Sequence, residues 1–442
     1  MTATQGTDLT DRWGVGVRGA TEPGIEALND GVECLLALAG DPVGLAEQAA
    51  AEAPGMALAR IYQAYLSLYG MTPDGVAQAA KIVSEIEAPP SGSREAAHLQ
   101  AARAWSAGDW TAATRALERA LVLNPRDALA LKVAQDLYFF LGSRLDLRDV
   151  AARVLPAWSP DQPGWGYVQG IYAFGLEENA DYRQAQTRAE AALAANPRDV
   201  WSVHALAHVH EMEGSQRAGI DFMAATLPYW RDSYFAVHNW WHRALYHLEL
   251  GETDAVLALY DQFIRAGRST QWLDIVDAAA LLWRLALFGV DVSERAGLLA
   301  ADIEPLLDSA PLYVFNDWHA VMALGLAGRH DRGEQVAAAS RRLATGTNRD
   351  AAELAGLTLL EGFTAFAAGR PADTLEKLID IRQIANVVGG SHAQRDVIDL
   401  TLLAAAARAG ESRLARALAH EREARKPTAA AATERLIAAN SR

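Results

Sequence analysis

Apolar residues along this chain recur at helical spacing, and no stretch alternates apolar and polar residues long enough to predict a strand. Two segments show the pattern twice. GDWTAATRALERALVLNPRDALAL, from Gly108, and ADYRQAQTRAEAALAANPRDVWSV, from Ala180, each place an aromatic after an aspartate, then a helical Ala/Leu stripe, then Asn-Pro-Arg-Asp. The two NPRD blocks begin at Asn124 and Asn196, 72 residues apart, or two periods of 36. That is close to the tetratricopeptide period of about 34 residues. The proline follows a helix that must stop, and the aspartate two residues later can cap the next one.

Glycines give a second ruler. Gly108, Gly142, Gly214, Gly251, Gly289, Gly328, Gly369 and Gly410 each close an apolar helical stretch, mostly 34 to 41 residues apart. The gap between Gly142 and Gly214 is two repeats, whose middle member ends at LEENADY without a glycine. Glycine there supplies the left-handed conformation that ends a helix. These rulers predict an all-α protein in which residues 25–425 are degenerate tetratricopeptide-like hairpins stacked as an α-solenoid. Residues 1–24 and 426–442 fall outside as an N-terminal extension and a C-terminal tail. In such a stack the first helix of each hairpin lines the inner wall.

Composition narrows the class. Alanine dominates an apolar fraction of 51%, which favours helix. The formal charge is −15, and no basic run offers a nucleic-acid footprint or an attraction to anionic membranes. No apolar run approaches the roughly 18 residues of a membrane span. The opening MTATQGTDLTDRWGVG lacks the pattern of a signal peptide. The single cysteine, Cys34 in VECLLALAG, is expected to be buried and inert, and a reducing cytoplasm fits.

The candidate chemistry is histidine. Of 11 histidines, His204, His208, His210, His238, His242 and His247 fall within 44 consecutive positions. His204/His208 and His238/His242 have the i, i+4 spacing that stacks side chains on one helix face, and Glu211 continues the first face. Both pairs lie on first helices. His319 stands nine residues before Gly328, as His242 does before Gly251, and His204 stands ten before Gly214. These three imidazoles are expected at one level of the inner wall, with Asp277 supplied by the intervening hairpin. His210 and His247 are offset and read as packing residues. Of Trp240 and Trp241, which read chiefly as packing, one can wall the pocket; Trp241 is taken for that role.

One alternative reading buries each histidine separately among helices. Several coincident polar groups in one interior each need a partner, however, and a shared polar cavity satisfies them together. The two i, i+4 pairs offer His204, His208, His238 and His242 as ligands for a divalent metal such as zinc. HExxH is absent, as is any cysteine ligand. Without metal, neutral histidines beside Asp277 and Asp317 suit general acid–base work.

Near the C-terminus, NVVGGSHAQRDVIDL gives Ser391 and Gln394 the spacing of a capping box, so a helix should begin just after Ser391. Gly389 and Gly390 lead into that N-terminus, where backbone N–H groups and Arg395 can hold an anion, with His392 at its mouth. A flexible, well-capped turn is the alternative. Phosphate-loop and GxSxG motifs are absent.

Together HALAHVHEMEG, HNWWHRALYHLELG, DAAALLWRLALFG, NDWHAVMALGLAGR, GGSHAQRDVIDLTLL and YVQGIYAFGLEE resemble the tetratricopeptide repeat protein 38 family, in matching order over roughly residues 25 to 420. The resemblance implies a helical repeat fold and a shared polar set: His204, His208, Glu211, His238, Asn239, His242, Asp277, Asp317, His319, His392, Gln394, Arg395 and Asp396, with Glu178 added from GLEE. It implies no settled reaction.

The expected function is an enzyme acting on a small polar substrate, an anion among the candidates, by metal-assisted or general acid–base chemistry, with hydrolysis or elimination foremost. His204, His208, Glu211, His238, His242, Asp277, Asp317 and His319 would do the chemistry. Asn239, Trp241, His392, Gln394, Arg395 and Asp396 would bind substrate. A peptide-binding scaffold and a small-molecule binder without turnover stay open, and exposed solenoid ends make a homodimer plausible.

Overall fold

The computed structural model describes residues 9–308, 311–342 and 346–441. Residues 1–8 of the N-terminal extension and Arg442 lie outside them. The protein is all-α. Among the described residues the strands are a two-residue antiparallel pair, β1 (Leu9–Thr10) and β2 (Gly16–Val17). No helix of the described residues is long and apolar enough to cross a membrane.

The chain divides into two compact units, residues 1–138, 144–202 and 232–234, and residues 139–143, 203–231 and 235–442. In the first, α1 (Glu22–Ala37), α2 (Pro42–Glu52), α3 (Ala57–Tyr69), α4 (Pro73–Ser84), α5 (Arg94–Ser106) and α6 (Trp110–Leu123) pack each on the next. They are followed by α7 (Ala128–Phe140), α8 (Arg144–Val154), α9 (Trp165–Glu177) and α10 (Tyr182–Ala195), with α9 packed on α8 and α10.

The local chemistry that divides these helices matches the sequence signals. Asn124 and Asn196 end α6 and α10. Asp127 then accepts the Ala130 N–H at 3.0 Å, and Asp199 accepts the Ser202 N–H at 3.2 Å. All eight ruler glycines have positive φ, from 64° to 83°. Past seven of them the next amide reaches the carbonyl five residues back, as in Ser215 N to His210 O at 2.8 Å and Glu252 N to His247 O at 2.9 Å. This bond satisfies a carbonyl that the helix end leaves open.

The repeat without a glycine uses the same turn. Ala180 takes φ 62°, and Asp181 N bonds Leu176 O at 3.0 Å. The left-handed conformation strains a Cβ, and Ala180 is exposed. Ala180→Gly is therefore expected to stabilise the protein by about 0.5–1 kcal/mol, seen as a rise in denaturation midpoint at unchanged m-value.

The N-terminal extension takes part in the first unit. Asp11 caps its own turn by accepting the Trp13 and Val15 amides, and its other oxygen takes Arg94 Nη1 at 2.7 Å. Cys34 departs from expectation. It is half-buried, and a Cβ on Gly40 would come within 2.6 Å of its Sγ. Desolvation still raises its thiol pKa, which keeps it in the unreactive protonated form.

The second unit takes α11 (Val200–Met212) from Val203 onward, then α12 (Gln216–Trp230), α13 (Ala236–Glu249) and α14 (Thr253–Leu259). Then come α15 (Trp272–Leu287), α16 (Ser293–Ile303), α17 (Val314–Leu326), α18 (His330–Ser340), α19 (Thr347–Ala351), α20 (Leu357–Ala367), α21 (Pro371–Ile381), α22 (His392–Arg408), α23 (Ser412–Arg425) and α24 (Ala430–Asn440). The first helices α13, α15, α17 and α20 pack in series, and α22 packs back on α15. The tail after Lys426 belongs to this unit. Helix α24 lies on α15 and α22, Asn440 donates to Leu287 O at 2.8 Å, and Arg435 donates to Glu249 O at 2.6 Å. Thr428 sits so close to Gly214 that any Cβ there would lie 1.6 Å from its hydroxyl.

Candidate functional site

Helices α11 and α13 place four imidazoles together in the second unit. His204 and His208 stand one turn apart on α11, and His238 and His242 one turn apart on α13. None is more than 4% exposed. His204 Nε2 lies 2.9 Å from His208 Nε2 and 3.1 Å from His238 Nε2. One ligand atom from each of the four falls within 4.8 Å of every other. The expectation that residues 34 positions apart meet through equivalent helix faces holds for this set.

The hydrogen bonds behind the rings fix which nitrogens face inward. His238 Nδ1 is 2.8 and 3.0 Å from the two oxygens of Asp277 on α15. An ionised carboxylate only accepts, so Nδ1 carries a proton and Nε2 is the nitrogen turned toward the other rings. His242 Nδ1 likewise faces Glu211 Oε2 at 3.3 Å, leaving its buried Nε2 with no hydrogen-bond partner among the described residues. Burial first, then the neighbouring imidazoles, holds His208 and His242 well below the ordinary histidine range, so both are neutral at pH 7.

A charged layer backs this cluster. Lys426 Nζ is 3.8 Å from Glu211 and 3.2 Å from Glu249. Arg422, 2% exposed at its side chain, joins Glu249 at 2.7 Å and Asp396 at 2.9 Å. Burial raises the carboxyl pKa of Glu211, partly offset by Lys426, and burial raises that of Asp277, partly offset by His238.

The other candidates separate. His319 does not join the four rings. It lies on α17, which packs on α15, and its Nδ1 donates to Phe315 O at 2.8 Å. Burial takes its pKa down to about 3, so it is neutral and its Nε2 has no protein partner. Asp317 does not orient an imidazole. It is buried and accepts the Ser340 hydroxyl of α18 at 2.7 Å. Two residues apart on one helix, Asp317 and His319 point about 200° apart, so they cannot share a wall.

Burial pushes the Asp317 carboxyl up to about 7, which the Ser340 hydrogen bond only partly opposes. Because its folded value is raised, the folded state holds this proton more tightly. Stability is then greatest below about pH 4 and falls until about pH 7. Asp317→Asn keeps the acceptor without the charge. It is expected to stabilise the protein by on the order of 3 kcal/mol at pH 8 and by little at pH 4. Melting curves of both proteins across this range check the sign.

Asn239 is fully buried, and neither end of its amide has a protein partner. Trp241 stacks on His238 with centroids 5.2 Å apart, and its indole N–H is also unpartnered. The predicted cap of α22 is present. Gln394 N donates to Ser391 Oγ at 3.2 Å, and Gln394 Oε1 accepts from Ser391 N at 2.9 Å. That oxygen is therefore already committed. Arg395 folds back onto the carbonyls of Gly390 and Gly389, and Asp396 is committed to Arg422. His392 is half-buried and acts electrostatically on His208. Glu178 is buried in the first unit. His210 packs on Phe222, and His247 pairs with Glu252, as packing residues should.

Arg284 was not among the sequence candidates. It is 2% exposed on α15, seven residues after Asp277 and hence on the same face. A charge inside the apolar run LLWRLALFG was the available signal.

The donor set fits a metal ion of the zinc type. Imidazoles are borderline-soft ligands, and two of the four carry the carboxylate partner that commonly orients a ligating histidine. With Zn–N bonds of about 2.0–2.1 Å, tetrahedral ligand atoms lie about 3.3 Å apart. The closest nitrogens here, at 2.9 and 3.1 Å, need only small outward shifts. The site is thus a buried tetra-imidazole centre in an all-α unit. No protein-family model matches the chain.

Proposed function

We propose that the protein is an enzyme whose tetra-imidazole centre performs metal-assisted or general acid–base chemistry, most simply hydrolysis, on a small polar substrate. The observation that carries this reading is the convergence of four buried imidazoles with one ring nitrogen each within 4.8 Å of the others, two of the rings oriented by Asp277 and Glu211. A divalent ion held there would supply Lewis acidity. Asp277 and Glu211 fix the tautomer and angle of His238 and His242, and in the metal-free alternative one of the four rings serves as base. His319 and Asn239 offer further unpartnered polar atoms in the same unit.

The same reading extends to the scaffold. The glycine turns and their recurring bond five residues back support an α-solenoid of tetratricopeptide-like hairpins, in the manner of the tetratricopeptide repeat protein 38 family, working in the cytoplasm. A closed, purely structural metal centre is the second reading, favoured by the burial of all four rings.

Activity separates the two. Protein purified without a histidine tag is assayed, with and without chelator, against a panel of small carboxylic and phosphoric esters and amides. Turnover that is lost on chelation and restored by zinc supports the enzyme. Bound metal with no turnover across the panel supports the structural centre.

A further inference from the structure

Arg284 is a permanently charged side chain at 2% exposure, and buried charges are ordinarily paired. No carboxylate among the described residues forms an ion pair with it. Its hydrogen bonds go to three backbone carbonyls: Nη1 to Ala280 at 3.2 Å, and Nη2 to Ala393 at 2.6 Å and Gln394 at 3.2 Å. A guanidinium has five N–H groups, so two remain. The guanidinium lies over Trp241, 5.4 Å from its ring centroid, and the indole N–H is buried and unpartnered. Trp241 in turn stacks on His238 with centroids 5.2 Å apart, so one indole ring links the guanidinium to the tetra-imidazole centre.

We propose that the substrate of this centre is an oxyanion, a carboxylate or a phosphate, and that Arg284 is the residue that holds its charge. The inference rests on the proposed function. It moves the anion site from the loop at Gly389-Gly390, where Arg395 is turned onto its own carbonyls, to the middle of α15. Oxyanion atoms would take the remaining guanidinium N–H groups and the Trp241 N–H, setting the rest of the substrate toward His238 and His242.

The test uses the full chain, loaded with zinc, and follows binding of inorganic phosphate and of acetate by calorimetry and tryptophan fluorescence. One saturable site per chain is expected, and the preferred probe tells phosphate from carboxylate. Arg284→Gln should weaken binding at least about tenfold while metal content stays the same. If Arg284→Gln does not fold, Arg284→Lys decides. An ammonium lacks the planar fork, so its affinity should fall by at least about threefold. Binding of neither probe to the loaded wild type, or unchanged affinity in the folded variant, overturns the proposal. Metal content is measured on the same samples. A chain without metal overturns the proposed metal centre instead, whereas a loaded chain that ignores both anions overturns only the role of Arg284.

Discussion

Replacing His238 and His242 together with alanine is expected to drop bound metal from about one ion per chain to less than about a tenth, with a fall in melting temperature. The two rings present the Nε2 atoms whose opposite nitrogens are fixed by Asp277 and Glu211, at 2.8 and 3.3 Å. Without them His204 and His208 offer a single i, i+4 pair. Metal bound only by the folded state stabilises it, by about 4 kcal/mol when free metal is a thousandfold above the dissociation constant. The double variant also leaves a cavity, so its loss of stability has two parts. Chelation of the wild type isolates the metal part, and the variant should show no further loss with chelator. Asp277→Ala should have a smaller effect of the same kind, weakening metal about tenfold or more through loss of the orienting hydrogen bond.

The second large effect belongs to the first unit. Arg94→Ala is expected to destabilise the protein by about 3–5 kcal/mol, because it strands buried carboxylates. Arg94 Nε and Nη2 bind the two oxygens of Asp127 at 2.6 and 2.8 Å, while Nη1 binds Asp11 at 2.7 Å. His98 Nε2 adds a contact to Asp127 at 3.0 Å, and Tyr65 backs that ring at 3.1 Å from Nδ1. Burial alone would raise the Asp127 pKa, but the charge of Arg94 and then His98 overcomes it and holds the carboxyl far below its usual range. A depressed carboxyl stabilises the fold above its unfolded pKa and loses that contribution as the pH falls. The deficit of Arg94→Ala should therefore shrink on acidification, and adding Asp127→Asn should recover part of it at pH 7. Denaturant midpoints of the single and double variants measure both.

Much of this was legible in the chain because short-range chemistry fixed it. The glycines at the ends of first helices all take positive φ, and the two Asn-Pro-Arg-Asp blocks end one helix and cap the next. Helical spacing and distance from those glycines brought His204, His208, His238 and His242 together. The same ruler failed for His319. It reports height along a helix but not which neighbour that helix packs against, and α17 packs on α15.

Asp317 was misplaced for a simpler reason, since its angular offset from His319 turns it toward Ser340. Arg284 was obscured by the apolar run around it. The Arg422–Glu249–Lys426 network depends on how the segment after α23 docks, and no local pattern encodes a contact 177 residues away, as between Lys426 and Glu249.

Whether four inward-facing imidazole nitrogens share one cation is tested most directly by anomalous diffraction from crystals of untagged protein, recorded on both sides of the zinc absorption edge. One edge-dependent peak per chain is expected, about 2.0–2.1 Å from Nε2 atoms of the His204, His208, His238 and His242 set. No peak there, with the rings hydrogen-bonded only to one another and to water, would contradict a shared cation.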